Sequence, residues 1–348
     1  MRLIRLLSVL AITAGLALPA AAQECVGRNL LEALPPATLA ELQATTRKVP
    51  YHHGLFWRAE KGDQRITLLG TYHFDDPRHQ RTLAQFGPEI DAAGALLVEA
   101  GPEEEARLTE AMTKDPSLIM DATGPTLPER MTDEDWANLW HAMEARGVPA
   151  VITSRMRPWY VSVLLGVSPC MLETVKSTGD TGGLDHLLIQ RAEAAGVRVQ
   201  ALEPWDTVFS LFDGMTPEEE IGMIRAAMPA AEYADDYAVT LTDAYFSGDS
   251  WLIWEFGRRD AYDNSGLTRA EVDEQVRFAQ RTLMDERNSH WIAPLERAAR
   301  EAAKDGKGIV AGFGALHLPG DRGVLSLLEH EGWKITPIKP QGGQGNGG

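Results

Sequence analysis

The chain has 348 residues, and its 33 lysines and arginines against 50 aspartates and glutamates give a formal net charge of −17 at pH 7. Neutralising nucleic-acid phosphates requires a basic face, and the sequence contains none, so nucleic-acid binding is excluded. The composition is otherwise that of a globular protein, with 44% hydrophobic and 24% charged residues.

The first 22 residues have the pattern of a secretory signal peptide. Arg2 and Arg5 precede an apolar run over residues 6–18, and Ala-Ala-Ala at 20–22 forms a typical cleavage site. Losing the two arginines moves the formal charge from −17 to −19. The rest of the sequence has no stretch that is apolar and long enough for a membrane anchor. We therefore expect an exported protein, which in a bacterium means a periplasmic one.

The only two cysteines, Cys25 and Cys170, lie after the predicted cleavage site. Because an exported protein enters an oxidising compartment, we expect them to form one disulfide. Such a bond would join the N-terminal arm to the middle of the chain and stabilise the fold by about 2–4 kcal/mol. Two buried free thiols are the alternative.

The first predicted elements form a β-hairpin and a βαβ unit. Strand-like runs at 55–60 and 65–70 flank the turn signal Lys-Gly-Asp-Gln at 61–64. A helix over about 81–93 and a buried strand at 95–99 follow. The second strand of the hairpin, the helix and the buried strand have the spacing of a βαβ unit.

Further along the chain, helix patterns alternate with short returns to the sheet. Residues 103–172 are mostly helical in pattern, a helix at 184–195 leads to a strand at 197–202, and residues 216–304 are again helix-compatible. A strand is predicted at 308–313. The last elements are a helix at 323–330, a strand at 333–338 and a Gly-rich tail at 341–348 that is expected to be disordered.

These patterns predict an α/β fold in which a mixed central sheet carries flanking helices. We expect one domain over 23–340, with helical insertions at about 103–172 and 216–304.

Two Gly-x-x-His segments, at 70–73 and 314–317, each follow a β-branched apolar run. The glycine would permit a sharp exit from the strand. Ligands of open α/β sheets bind at the carboxyl ends of strands, so His73 and His317 could converge on one pocket. The spacing alone is weak evidence, because a third copy at 183–186 follows no strand.

The ordered motifs of this chain resemble those of the TraB/GumN family, which includes the Tiki proteins. The resemblance covers most of the mature chain, and its most distinctive part is Gly-Ala-Leu-His-Leu-Pro-Gly. The motifs lie at 69–73, 97–99, 183–185, 202–203, 287–288 and 314–320.

The resemblance implies an α/β fold related to erythromycin esterase and the ChaN-like proteins. For the Tiki branch it implies a metal-dependent peptidase, whose centre corresponds here to His73, Glu99 and His317. Two histidines and a carboxylate are a familiar ligand set for a catalytic divalent metal, and manganese, cobalt or zinc could occupy it. The alternatives are buried histidines that bond the strand ends, and a Glu99 that pairs with an arginine such as Arg287.

Five further residues could support this centre. Asp185, Glu203 and Tyr72 could orient the histidines, and the two acids could also hold a substrate amine. Arg287 and Asn288 could stabilise an oxyanion or bind a substrate carboxylate. An ordinary structural role is the alternative for each.

Two functions follow from these residues. The first is an exported, metal-dependent hydrolase of peptide-like substrates or small molecules. The second is a non-catalytic periplasmic protein that binds a peptide, haem or an envelope component in the same cleft. The sequence carries no Gly-x-Ser-x-Gly, Walker, Gly-x-Gly-x-x-Gly, His-Glu-x-x-His or Cys-x-x-Cys motif, so other common enzyme classes find little support.

Overall fold

The computed structural model describes residues 25–178 and 182–340. The predicted signal peptide and the predicted disordered tail lie outside the described residues. Within them the protein is mixed α/β, as the sequence predicts, with helices on both faces of one six-stranded sheet. The strands are β1 (Phe56–Lys61), β2 (Gln64–Thr71), β3 (Leu96–Val98), β4 (Val199–Ala201), β5 (Ile309–Gly314) and β6 (Lys334–Pro337).

Most helices lie in the intervals that the sequence assigns to them, but the sequence patterns do not predict those at Pro36–Thr46 and Thr207–Ser210. Short 3₁₀ turns at Pro116–Leu118 and Ala315–His317 and a π-helix at Arg281–Asp285 accompany the α-helices. The α-helices are α1 (Pro36–Thr46), α2 (His79–Ala92), α3 (Pro102–Lys114), α4 (Leu127–Arg130), α5 (Asp133–Glu144), α6 (Ala150–Thr153), α7 (Pro158–Leu165), α8 (Pro169–Thr178), α9 (Leu184–Ala194), α10 (Thr207–Ser210), α11 (Pro217–Glu232), α12 (Ala234–Ser247), α13 (Ser250–Asn264), α14 (Arg269–Gln280), α15 (Glu286–Ala303) and α16 (Val324–His330).

The sheet order is β4-β3-β5-β2-β1-β6. The first four strands in this order are parallel, and β1 runs antiparallel to both β2 and β6. The predicted hairpin is confirmed. Its turn is shorter than expected, because Lys61 already pairs with Gln64. Gly62 occupies the left-handed region at φ 65° that such a tight turn requires.

The position of β5 in the sheet decides where the histidines lie. A βαβ crossover does connect β2 through α2 to β3, but those two strands are not neighbours, because β5 from the end of the chain lies between them. The carboxyl ends of three parallel strands therefore meet at one edge of the sheet.

Each sheet face has its own apolar core, because successive strand residues point to opposite sides. Leu68 of β2 packs with Trp291 of α15 in one core. Its neighbour Leu69 packs with Phe86 of α2 and Leu188 of α9 in the other. The parallel strands are thus covered on both faces, which explains their continuous apolar runs.

The two predicted helical insertions are helical, and they share a core of their own. Leu139, Met143 and Leu165 of the first pack with Ile221 and Ile224 of the second. The predicted helix starts are also present, since Thr132 Oγ1 accepts a bond from the Asp135 N–H and Thr216 forms a capping box. The division into one domain with insertions stays a prediction.

The predicted disulfide is present between Cys25 and Cys170, with a Cα–Cα distance of 5.7 Å. It ties the N-terminal arm to α8. Within residues 25–178 and 182–340, none of the helices combines the length and the apolar character needed to cross a membrane.

Candidate functional site

The structure brings His73, Glu99 and His317 to the same edge of the sheet. Strands β2 and β5 pair in parallel, with Thr71 opposite Gly314. Strand β3 pairs with the other side of β5. The three side chains therefore follow neighbouring strands, as their positions after apolar runs predict.

Gly314 marks the point on which these side chains converge. A methyl group placed on Gly314 would lie 3.2 Å from Glu99 Oε1, 3.3 Å from His73 Nε2 and 3.5 Å from His317 Cδ2. The absence of a side chain at this position leaves a small space that a carboxylate and two imidazoles surround.

His73 is held by a carboxylate from the third Gly-x-x-His segment. Its Nδ1 lies 2.8 Å from Asp185 Oδ2, and the Thr71 hydroxyl donates to the other oxygen of that carboxylate. Gly183 makes this approach possible, because a Cβ there would come within 2.4 Å of the His73 carbonyl. The histidine side chain stays 56% exposed, so its Nε2 is accessible.

His317 is held in a buried setting. Its Nδ1 lies 2.6 Å from Asn288 Oδ1, and the Asn288 amide donates to the Arg322 carbonyl at 3.0 Å. The Trp291 ring packs 4.5 Å from the imidazole, centre to centre. The buried amide of Asn288 thus fixes the ring, and Nε2 is directed toward Glu99 at 3.8 Å.

Glu99 is paired with Arg287, as the alternative interpretation of this acid anticipates. Arg287 Nη2 donates to Glu99 Oε2 at 2.7 Å, while Oε1 accepts from the Gly314 N–H at 2.6 Å. Arg287 also donates twice to Glu203, at 2.7 and 2.9 Å. Trp291 Nε1 donates to Glu203 as well, at 2.9 Å. One guanidinium therefore balances two largely buried carboxylates.

The local fold directs Arg287 into the site. The π-helix at Arg281–Asp285 immediately precedes α15, and the Leu283 carbonyl accepts from Arg287 Nη1 at 3.1 Å. Such π-segments within helices are frequent at functional sites. The same Nη1 lies 3.4 Å from His317 Nε2, at the rim of the space before Gly314.

The surroundings shift the pKa values of the two histidines in opposite directions. The neighbouring Asp185 carboxylate raises the pKa of His73 to about 9. Burial lowers the pKa of His317 to about 4. Burial alone would raise the pKa of Glu99, but His317, Arg287 and His73 beside it lower that pKa to about 2. At neutral pH the site thus holds a charged imidazole, a neutral one and a carboxylate.

Tyr72 lies apart from this cluster. Its hydroxyl bonds Thr242 at 3.0 Å and its ring stacks on Tyr245, because neighbouring residues at a strand end point to opposite faces. The structure thus gives no contact by which the Tyr72 side chain could orient His73.

The glycines of the two segments do not use a left-handed backbone to leave their strands. Neither Gly70 nor Gly314 is among the residues with a left-handed backbone. Close approach also requires a glycine, since a Cβ at Gly70 would come within 2.7 Å of the Leu318 side chain.

Sequence reasoning missed two contributors to the site, Thr71 and Trp291, and gave Gly314 a role in the backbone only. Trp291 had a usable signal, because it lies one helical turn after Arg287 and so shares its face of α15. The Thr71 contact has no local signal, because Asp185 is far away in sequence.

The donor set fits a divalent metal only in part. In both histidines Nδ1 faces an oxygen acceptor and Nε2 remains for a ligand, which is the usual setting of metal-bound imidazoles. The oxygens of Glu99, however, are bonded to Arg287 and to the Gly314 N–H, and a guanidinium beside the site opposes a second cation. No three His, Cys, Asp or Glu side chains in the described part of the chain could hold a metal ion as they lie. In this arrangement the residues do not fit the metal that the resemblance implies.

Comparison with known proteins supports the resemblance that the motifs suggest. No curated protein matches the chain. The family model described as the TraB/PrgY/gumN family matches residues 55–337, which include every strand of the sheet and all of the site residues described above. The chain therefore belongs to the TraB/PrgY/gumN family.

Proposed function

We propose that the protein is an exported hydrolase of peptide bonds, or of other amide or ester bonds, and that the reaction takes place in front of Gly314. The observation that carries this proposal is the convergence of His73, Glu99 and His317 on that point. Each histidine is oriented through Nδ1, so the two imidazoles meet the space in fixed positions. Preorganised groups of this kind are what acid–base catalysis requires.

His73 is the group best placed to move a proton. Asp185 holds its Nδ1, as a carboxylate holds the histidine of a hydrolytic triad, and the exposed Nε2 can exchange a proton with water or with a leaving group. Glu99 Oε1 faces the same space and can orient the attacking water. The reaction would add water across the scissile bond, and the leaving group would receive the proton.

Arg287 is placed to stabilise negative charge on the substrate. Its Nη1 lies at the rim of the space, 3.4 Å from His317 Nε2. A hydrogen bond from Nη1 to the substrate carbonyl oxygen would become stronger as that oxygen gains negative charge. Asn288 is a positioning residue, because it acts through His317.

Dependence on a divalent metal stays a separate prediction. Metal content measured by mass spectrometry on protein purified without chelator tests it. About one metal ion per wild-type chain, and none in the His317→Ala variant, would mean that Glu99 leaves Arg287 to bind the metal. No metal after reconstitution would leave hydrolysis to the side chains alone.

The hydrolysis itself is tested with fluorescein-labelled casein and p-nitrophenyl acetate. We expect wild-type turnover, and we expect His73→Gln and Gly314→Ala to remove it, the latter by filling the space with a methyl group. Gly257→Ala is the matched control, since a Cβ there meets nothing within 4 Å. Absence of turnover by the wild type, or turnover that survives both site variants, would favour the non-catalytic binding protein.

Export is proposed from the signal-like N-terminus and is supported by the disulfide, which suits an oxidising compartment. N-terminal sequencing of protein recovered from the cell envelope tests it. A start near residue 23 is expected, and retention of residues 1–22 would contradict the proposal.

A further inference from the structure

The sheet ends at β4, and a groove runs along the outer side of this strand. The groove has a volume of about 780 Å³. We call it the β4 groove. It lies between the start of α3 and the middle of α15, and its lining includes Val199, Gln200, Ala201, Glu203, Arg198 and Arg297.

The backbone of β4 offers unpaired hydrogen-bonding groups to this groove. The Leu96 N–H donates to the Arg198 carbonyl and the Leu202 N–H to the Val98 carbonyl. With this register, Gln200 directs its N–H and carbonyl toward β3, and Val199 and Ala201 direct theirs outward. No described residue bonds these outward groups. An open edge of this kind is a template for an added strand.

The charges in the groove suit a peptide that carries carboxylates. Three of the acids here are already engaged: Glu103 pairs with Arg107, Glu104 accepts from the Gly101 N–H, and Glu301 pairs with Lys304. Arg198 and Arg297 have no ion pair with any described residue. Arg198 donates to the side-chain oxygen of Gln200, which is a neutral partner. The groove therefore presents two cationic side chains without an ion pair to a described residue, beside free backbone groups.

The groove also leads to the site. Glu203 lines it and at the same time bonds Arg287, which bonds Glu99. Strands in a sheet lie about 4.8 Å apart, so a chain added outside β4 would lie about 14 Å from β5. About four extended residues, at about 3.4 Å each, cover that distance.

We propose that the β4 groove binds an extended peptide as an additional strand, with acidic side chains near Arg198 and Arg297. The peptide passes over the carboxyl end of β4 and reaches the space before Gly314 about four residues further on. This inference rests on the proposed hydrolase and names its substrate class. The backbone bonds would give affinity for many sequences, as in other cases of strand addition.

Binding is measured separately from hydrolysis in a His73→Ala background, with fluorescein-labelled β-casein as the disordered probe. Ala201→Pro removes the outward N–H and leaves the bonds to β3 in place, and an edge strand tolerates proline there. We expect about a three- to tenfold loss of affinity, as for one lost backbone bond. Ala201→Val is the control of similar bulk that keeps the N–H.

Hydrogen exchange gives a second readout that does not depend on the variant folding. On addition of β-casein, the segment that contains β4 should gain protection at the amides of Val199 and Ala201. Absence of β-casein binding, unchanged exchange at β4, or equal affinity of the proline and valine variants would each overturn the groove proposal. Binding at β4 without turnover by the wild type would instead leave the groove standing and overturn the hydrolase.

Discussion

At the scale of single residues, the two histidines of the site differ in what holds them. The His73 side chain is 56% exposed and the His317 side chain 8%. Because His73→Gln breaks only a partly exposed pair with Asp185, we expect it to lower the free energy of unfolding by less than about 1 kcal/mol. His317→Gln loses a buried bond to Asn288 and should cost about 1–3 kcal/mol. Urea titrations of both variants measure this, and equal stability losses would contradict it.

Arg287 should be the most sensitive side chain of the site for folding. It is 17% exposed and faces Glu99 and Glu203, which are 18% and 12% exposed. Arg287→Gln would leave two carboxylates without a countercharge, so we expect it to lower the free energy of unfolding by about 3–5 kcal/mol. The urea midpoint at pH 7 measures this.

A lysine at the same position separates charge from geometry. Arg287→Lys keeps the positive charge and loses the paired donors, so it should recover part of the stability. A glutamine variant as stable as the wild type would mean that Glu99 and Glu203 take up protons or water in the folded state. Such a result would contradict the role assigned to Arg287.

At the scale of elements, Glu296 joins α15 to β1 and to the residue that precedes β6. Glu296 Oε1 accepts from Lys61 Nζ and from Trp333 Nε1, each at 3.0 Å. Burial alone would raise the pKa of Glu296, but these two donors lower it below its ordinary 4.5. The carboxylate therefore stabilises the fold above pH 4.5, and this contribution is lost as the pH falls below that value.

Glu296→Gln tests this pH dependence. Because Lys61 is 40% exposed, we expect a stability loss under about 1 kcal/mol at pH 7, which shrinks below pH 4.5. Urea midpoints of the wild type and the variant between pH 3 and pH 8 give the difference. A difference that stays constant over this range, or grows toward low pH, would contradict the assignment.

Arg146 closes the end of α7 from inside the protein. It is 2% exposed and donates to the carbonyls of Leu164, Leu165 and Val167 at 2.9 Å, and to that of Ala142 at 2.8 Å. Helix ends leave carbonyls unsatisfied, and this guanidinium satisfies those of α7.

Replacing Arg146 by Met would keep the volume and leave these carbonyls without their donor. We expect a loss of about 2–4 kcal/mol in the free energy of unfolding, without change in the geometry of the site around Gly314. Chemical denaturation and a peptidase assay on the same preparation measure both quantities. Arg130→Met, whose guanidinium bonds Pro217 and Glu220 nearer the surface, is the comparison and should cost less.

The elements and the site differ in how far the sequence predicts them. The hairpin, α9, α15 and the strands before His73 and His317 follow from local hydrophobic patterns, and the end positions of those strands predict the convergence. The position of β5 between β2 and β3 does not follow from local patterns, because strand order is a long-range property. The same holds for the contact of Asp185 with His73 and for the bonds of Arg287 to two acids, since no local pattern records them.

At the scale of the whole molecule, the disulfide joins parts of the chain that are distant in sequence. Cys25 and Cys170 are 145 residues apart. Residues 25–31 otherwise bond α12, for example through the Leu30 N–H to the Thr240 hydroxyl at 2.8 Å. Cys170 is the second residue of α8. The disulfide thus ties the N-terminal arm, which otherwise contacts α12, to α8.

Because the cross-link closes so long a loop, its removal should lower the free energy of unfolding by about 2–5 kcal/mol. The double variant Cys25→Ser/Cys170→Ser and the wild type in dithiothreitol should show the same reduced urea midpoint, while the wild type without reductant keeps the higher one. Reduced wild type that matches the oxidised protein would contradict a stabilising disulfide.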